Sequence, residues 1–383
     1  MNQSAIFSAI GSLFLSVLAS CSGPTTGSAA APVFFASDNP ARLSEWGLMD
    51  ITDGALNLAE GVVPYDLNTP LFTDYALKLR TIWVPDHAGA GEFREGDYPN
   101  LPIGTVISKT FYYPQGDDEN LVLKADDTTG KTNPILQDLG QVRLMETRLL
   151  VRRAQGWEAV SYVWSEDQTD AKLTKIGDAQ KLTLVSDDGQ QDEFTYIVPD
   201  INQCAGCHAP NNTTRKLAPL GVRPRHLNKS YQHGDQDVNQ LLKLELIGYL
   251  SGFSPIEQIA RNEDWSDASQ PLDQRARAYL DINCSHCHNP QGPADTSGLD
   301  LTMEAMVGPE LGVCKLPIAA GAGTGGRAFS IVPGAPDESI LLYRTESINP
   351  GAMMPELGRS LQHKEGADLL RDWIAEMQGD CAS

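Results

Sequence analysis

The chain has 383 residues, 41 % of them hydrophobic and 21 % charged, a globular composition that excludes a disordered chain or a polytopic membrane protein. That length allows two or three domains, each burying its own core. Lys and Arg number 29 against 50 Asp and Glu, a net charge of −21, which argues against nucleic acid as a partner and suits neutral or basic ones.

Met1 to Ser20 carry no charged side chain, and the apolar run Ile10–Leu18 ends in Leu18-Ala19-Ser20-Cys21. The run is short for a membrane span and ends in small residues, as an export signal does. Leu-Ala-Ser-Cys resembles the bacterial lipobox, in which cleavage leaves the cysteine first and its thiol acylated. The other reading is an ordinary signal peptide with an incidental cysteine. Ser22 is similar to the outer-membrane sorting pattern of Gram-negative lipoproteins. The expectation is a signal over 1–20, a flexible tether over 21–32 and lipid on Cys21, placing the protein on the periplasmic side of the outer membrane.

Residues 33–200 read as a β-rich domain. Thr105–Tyr113, Thr147–Arg153 and Trp157–Trp164 have strand character, and Lys181–Val185 with Glu193–Val198 form a hairpin pattern around Asp188-Gly189. The aromatic residues here read as sheet packing. No catalytic constellation is visible in this half.

After Asp200 the pattern turns to helices and Gly/Pro-rich loops. Helices are expected over Val238–Leu250, Gln274–Asn283 and Ser360–Met377. The expected fold class is therefore α+β and multidomain: a β-rich N-terminal domain, then mainly α-helical domains over 201–268 and 269–383.

Cys204-Ala-Gly-Cys207-His208 and Cys284-Ser-His-Cys287-His288 are both C-x-x-C-H, the attachment motif of c-type haem. The two-residue gap lets two thiols reach the two vinyl groups of one porphyrin, and the adjacent His becomes the proximal ligand. A four-cysteine zinc ribbon would place the pairs ~15–20 residues apart, and a dithiol or disulfide reading leaves both histidines unexplained. The expected cofactors are two covalent haem c groups, with His208 and His288 on the irons.

Each iron needs a sixth ligand or an open site. Met353-Met354-Pro355 precedes the terminal helix. This resembles class I cytochrome c, where the Met before the Pro binds, and the resemblance implies Met354 for the second haem with Met353 as the alternate. For the first haem, His226 leads. His233, Met145, His87 and an open site are the other readings. Arg223 and Arg225 flank His226 and could pair with propionates. His286 reads as a solvated spacer and His363 as a surface residue. Cys314 and Cys381 remain, and an oxidising compartment would join them. Gly321–Gly326 lacks the Lys of a phosphate loop and reads as a turn.

These motifs, together with Leu67–Tyr75, Ala278–His288, Pro333–Leu341 and Met353–Gly358, resemble a family of bacterial diheme c-type cytochrome lipoproteins. The resemblance implies electron transfer in the cell envelope between redox proteins, with membrane contact only through the lipid. Two other functions compete. One is a diheme peroxidase-like oxidoreductase with an open first haem. The other is a cytochrome subunit of a dehydrogenase complex, with the β-rich part as docking module. The acidic charge favours redox partners with basic docking surfaces.

Overall fold

The computed structural model describes Met1 and residues 31–125, 138–234, 236–318 and 320–381. Cys21, the expected tether up to residue 30, and all of the expected signal but Met1 lie outside the described residues. No helix among the described residues is long and apolar enough to cross a membrane.

Strands β1 (Met49–Thr52) and β2 (Ala55–Leu58) make a hairpin whose turn residues, Asp53 and Gly54, both adopt positive φ. Then follow β3 (Val63–Tyr65), β4 (Leu77–Trp83), β5 (Gly91–Glu92), β6 (Val106–Pro114), β7 (Leu121–Leu123), β8 (Val142–Arg153), β9 (Gly156–Trp164), β10 (Ala171–Thr174), β11 (Asp178–Val185) and β12 (Gln191–Val198). The main sheet is antiparallel, in the order β10-β9-β8-β6-β4-β3, and a smaller sheet runs β12-β11-β7. Side chains alternate between faces with period two, so register decides what each face carries. Leu79, Val106, Leu149, Val151 and Tyr162 point into one core with Trp46. Ile82, Ile107, Leu150 and Ala159 point the other way, into a second core. Both faces are covered, which is why every residue of β4 is buried.

The second core crosses the expected domain boundary. Val222, Leu227, Leu241, Leu244 and Ile282 pack into it against the sheet. Leu250 and Ser251 pair with β5. The Asp74 carboxylate accepts hydrogen bonds from the backbone N–H groups of Ser360 and Leu361 at 2.7–2.9 Å, which fastens the end of the chain to the β half. The haem-motif regions are thus built onto the sheet and do not stand as free helical modules.

Mainly α-helical haem domains are not what forms. Helix accounts for 22 % of the chain and strand for 27 %. The described α-helices are α1 (Cys204–His208), α2 (Pro224–Leu227), α3 (Gln240–Leu246), α4 (Leu272–Asn283), α5 (Ile340–Glu346) and α6 (Lys364–Glu376), of which only α4 and α6 exceed seven residues. Glycine and proline between the motifs stop helices early. The helix expected over 238–250 shows how. Gln236–Asn239 pairs instead with Ser230–His233, the Asn239 side chain caps α3 by accepting from Leu241 N–H, and Gly248 in the left-handed region lies just beyond the helix end. The long helices pack together: α4 and α6 share a core of Ala276, Leu280, Leu370, Trp373 and Ile374.

A disulfide joins Cys314 to Cys381, 67 positions apart in sequence. It ties the long loop after the second motif to the segment following α6. Closing a loop of that size restrains the unfolded chain, so replacing both cysteines by alanine should lower the unfolding free energy by ~2–4 kcal/mol. Equal denaturation midpoints with and without the bridge would show that it adds nothing.

Candidate functional site

The first motif occupies the single turn α1. Asp200 prepares this turn: its carboxylate accepts from the backbone N–H groups of Asn202 and Gln203 at 2.7 and 3.1 Å, a local side-chain turn. The chain then loops back, so that His208 Nδ1 lies 3.0 Å from the carbonyl oxygen of Ala218. A carbonyl only accepts, so Nδ1 carries the proton. Burial pulls the His208 pKa down to about 3, helped by the Lys109 charge, and the ring is neutral. Nε2 therefore bears the free lone pair, the arrangement of a metal-ligating histidine.

The second motif continues from α4. Cys284 N–H donates to the Leu280 carbonyl at 2.8 Å and His288 N–H to that of Cys284 at 2.9 Å, so the helical turn carries past the helix end and orients both thiols. His288 Nδ1 lies 3.1 Å from Ser297 Oγ. That hydroxyl donates to the Ala294 carbonyl at 2.7 Å, so it accepts from the ring. His288 repeats the tautomer of His208, with burial lowering its pKa to about 4.

All four motif cysteines are free thiols. Burial raises their pKa values, for Cys284 and Cys287 to about 12. They are not the low-pKa thiolates of a redox dithiol or a catalytic cysteine. Among the described residues no three His, Cys, Asp or Glu side chains form a cage for a metal ion. The two motifs adjoin. Cys287 Sγ reaches the Gly206 carbonyl at 3.5 Å. Asn211 and Asn212 bond to Gln291 at 2.6 and 2.7 Å.

A cleft enclosing about 1350 Å³, part of it open to solvent, runs from the first motif to the main sheet. Cys204, Cys207 and His208 line it together with apolar Ile107, Leu150 and Ala159 of the sheet. His286 lines it too. It is not a solvated spacer: burial holds its pKa down near 4, with His288 adding to the shift. Three cations of the sheet, Arg80, Lys109 and Arg148, complete this wall. They escaped sequence reasoning because each is an isolated basic residue within an alternating strand. The space, the flanking thiols, the free Nε2 and unpartnered buried Arg80 Nη2 fit a haem.

The residues weighed as distal ligands lie in several different settings. His226 is buried, but its ring faces Asp281 Oδ2 at 3.7 Å and Asn262 Nδ2 at 3.4 Å, and it does not line the cleft. His233 sits beside the Tyr231 ring in the 230–239 ribbon. Met145 is core filler between Phe111, Tyr113 and Leu182, and His87 is exposed. Arg223 is held at the Gly96 carbonyl and near Asp281, and Arg225 pairs with Glu304 at 3.0 Å. His363 is not on the surface. It stacks on Phe72 with ring centres 4.2 Å apart.

Met354 lies on a loop wound around Arg359. The buried guanidinium donates to the carbonyls of Leu361, Ser347, Arg344 and Met354 at 2.8–3.2 Å. Met354 N–H in turn donates to the Arg344 carbonyl at 2.9 Å, and the neighbouring Met353 is buried. Pro355, Leu357 and Arg359 of this loop line the first-motif cleft, while Arg344 lies near enough to His288 to lower its pKa. The methionine loop thus stands between the two motifs.

No family model matches the chain, and no curated protein or solved structure matches it. The resemblance to diheme cytochrome lipoproteins rests on the sequence phrases given above.

Proposed function

We propose that this protein is a diheme c-type cytochrome that passes single electrons between redox proteins of the bacterial envelope. The observation that carries this reading is the doubled motif with matched geometry. Each C-x-x-C-H holds its histidine by an Nδ1 hydrogen bond, at 3.0 Å for His208 and 3.1 Å for His288. Each keeps two unpaired thiols, and the motifs touch at Cys287 and Gly206.

Cys204 with Cys207, and Cys284 with Cys287, would hold the two haems through thioether bonds, with His208 and His288 presenting Nε2 to the irons. Bound haem supplies a reversible one-electron change at iron. The residues around it do the rest. Ala218 and Ser297 fix the two imidazoles in one tautomer. Ile107, Leu150 and Ala159 exclude water from the first site. Arg359 holds the loop that offers Met354 or Met353 as a sixth ligand. The adjoining motifs suit transfer from one centre to the other. The lipobox-like Cys21 would tether the protein to the outer membrane on its periplasmic side, and the charge of −21 would steer it towards basic partners.

Protein matured in a periplasm with haem-ligation machinery should contain two haems per chain by pyridine haemochrome assay, both resistant to acid acetone. Replacing Cys284 and Cys287 by alanine should leave one. A single haem in the unmutated chain, or haem that acid acetone extracts, overturns the reading. Carbon monoxide binding to one reduced haem would move the assignment to the peroxidase-like alternative.

A further inference from the structure

Three cations stand side by side on the main sheet facing the first motif. In the register of the sheet Arg80 lies opposite Lys109, and Lys109 opposite Arg148. Directly opposed residues share a face with Cβ atoms ~4.5–5.5 Å apart, and like charges so placed repel. The chain neutralises part of this row. Arg148 is bonded by Glu146 at 2.5 and 2.8 Å, and Arg80 by Asp66 at 3.0 Å. The rest is uncompensated. Arg80 is 3 % exposed, and its Nη2 has no hydrogen-bond partner. Among the described residues Lys109 makes no ion pair and no hydrogen bond. Its Nζ sits 5.1 Å over the Phe111 ring. All three cations line the cleft that holds Cys204, Cys207 and His208.

The next row along the same strands is apolar: Ile107 lies opposite Leu150, and Leu150 opposite Ala159. The wall is therefore amphipathic across one strand step, with hydrocarbon beside fixed positive charge. A buried unpaired guanidinium nitrogen and a half-buried ammonium are costly without an anion. Two free cationic donors beside an apolar surface match a flat apolar molecule bearing two carboxylates on one edge.

We infer that the row Arg80–Lys109–Arg148 is the site for the propionate carboxylates of the haem at Cys204–His208, which makes the β half of the chain a wall of that haem site. The inference rests on the diheme reading. Lys109 and Arg80 Nη2 donate to the carboxylates, and Arg148, already held by Glu146, sets the field. The Arg223 and Arg225 pair beside His226 does not line this cleft; Arg223 donates to the Gly96 carbonyl and Arg225 pairs with Glu304, leaving its Nη1 unpartnered away from the first motif.

The test is Lys109→Met in the full-length, haem-loaded protein, with Lys109→Arg as the charge-keeping control. Haem content should stay at two per chain and the low-spin spectrum should not change. One of the two midpoint potentials should shift to a more negative value, because losing a nearby positive charge favours ferric iron. The ferrous-to-ferric ratio of that haem at a fixed potential should fall about tenfold, equivalent to ~59 mV for a one-electron couple. Lys109→Arg should restore most of the shift. If Lys109→Met fails to mature, the pH dependence of the midpoint answers instead. Propionates held by this row stay ionised and keep Lys109 charged, so in protein carrying only that haem (Cys284→Ala with Cys287→Ala) the midpoint should not move with pH across the neutral range, and a midpoint that follows pH there overturns the inference. Unchanged midpoints in a mature Lys109→Met variant overturn it as well. So does a first haem turned high-spin and carbon monoxide-binding by that substitution, which would make Lys109 an iron ligand. Absence of haem at the first motif in the unmutated protein would overturn the diheme reading itself, a separate result seen before any variant is made.

Discussion

Arg359→Leu should lower the unfolding free energy by ~3–5 kcal/mol, the scale for removing one member of a buried charge network. The guanidinium is 7 % exposed and serves four carbonyls, those of Arg344, Ser347, Met354 and Leu361. Leucine fills similar space but leaves the carbonyls of Ser347, Met354 and Leu361 without that donor, while the Arg344 carbonyl still accepts from Met354 N–H; each unsatisfied buried polar group costs ~1–3 kcal/mol. It also removes a cation beside the buried Asp74 carboxylate, which itself pins Ser360 and Leu361. Arg359→Lys should recover less than half of the loss, because an ammonium cannot present a planar fork to carbonyls on separate strands of the loop. Urea denaturation followed by far-ultraviolet circular dichroism measures both variants. A midpoint for Arg359→Leu within error of the unmutated protein would mean that the loop closes without its guanidinium.

Glu146→Leu should destabilise the chain by a similar amount, again ~3–5 kcal/mol. Glu146 is fully buried and accepts from Arg148 Nε and Nη2 and from Tyr196 Oη at 2.5–2.8 Å. Without it, the half-buried Arg148, directly opposite Lys109, loses its carboxylate partner. The double substitution Glu146→Leu with Arg148→Met should regain much of the loss, since removing both members of a buried pair leaves no stranded charge. A double variant no more stable than Glu146→Leu alone would place the cost in packing and not in charge.

Several elements were legible because their cause is local. The hairpin of β11 and β12 follows from alternating side chains around Asp188-Gly189. The helix of α4 follows from an apolar stripe that needs no partner to be recognised. The second half was misread where local pattern competes with long-range pairing. Val238 and Leu250 fit a helical period, yet the chain pairs residues 236–239 with 230–233, and Leu250 with Gly91, 159 positions away. Hydrogen bonds to a distant edge leave no trace in a window of a dozen residues. His286 and His363 were misplaced for the same reason, since burial comes from what packs over a residue and not from its neighbours in sequence.

By itself the sequence determined the local geometry of the first C-x-x-C-H motif, because two thiols and a histidine within five residues on one helical turn are positioned by the backbone alone. It also held the division of each strand into two faces, through the period-two alternation of its side chains. Only the tertiary structure decided what faces those motifs. Arg80, Lys109 and Arg148 are spread over 69 residues and come together solely because β4, β6 and β8 are neighbours in the sheet with that register. His226 looked available in sequence, and folding sets its ring 3.7 Å from Asp281 on another helix and away from the cleft. Covalent reach along the chain is short-range and readable. The charge and burial around a site are sums over groups brought close by folding, and those exist only once the sheet has formed.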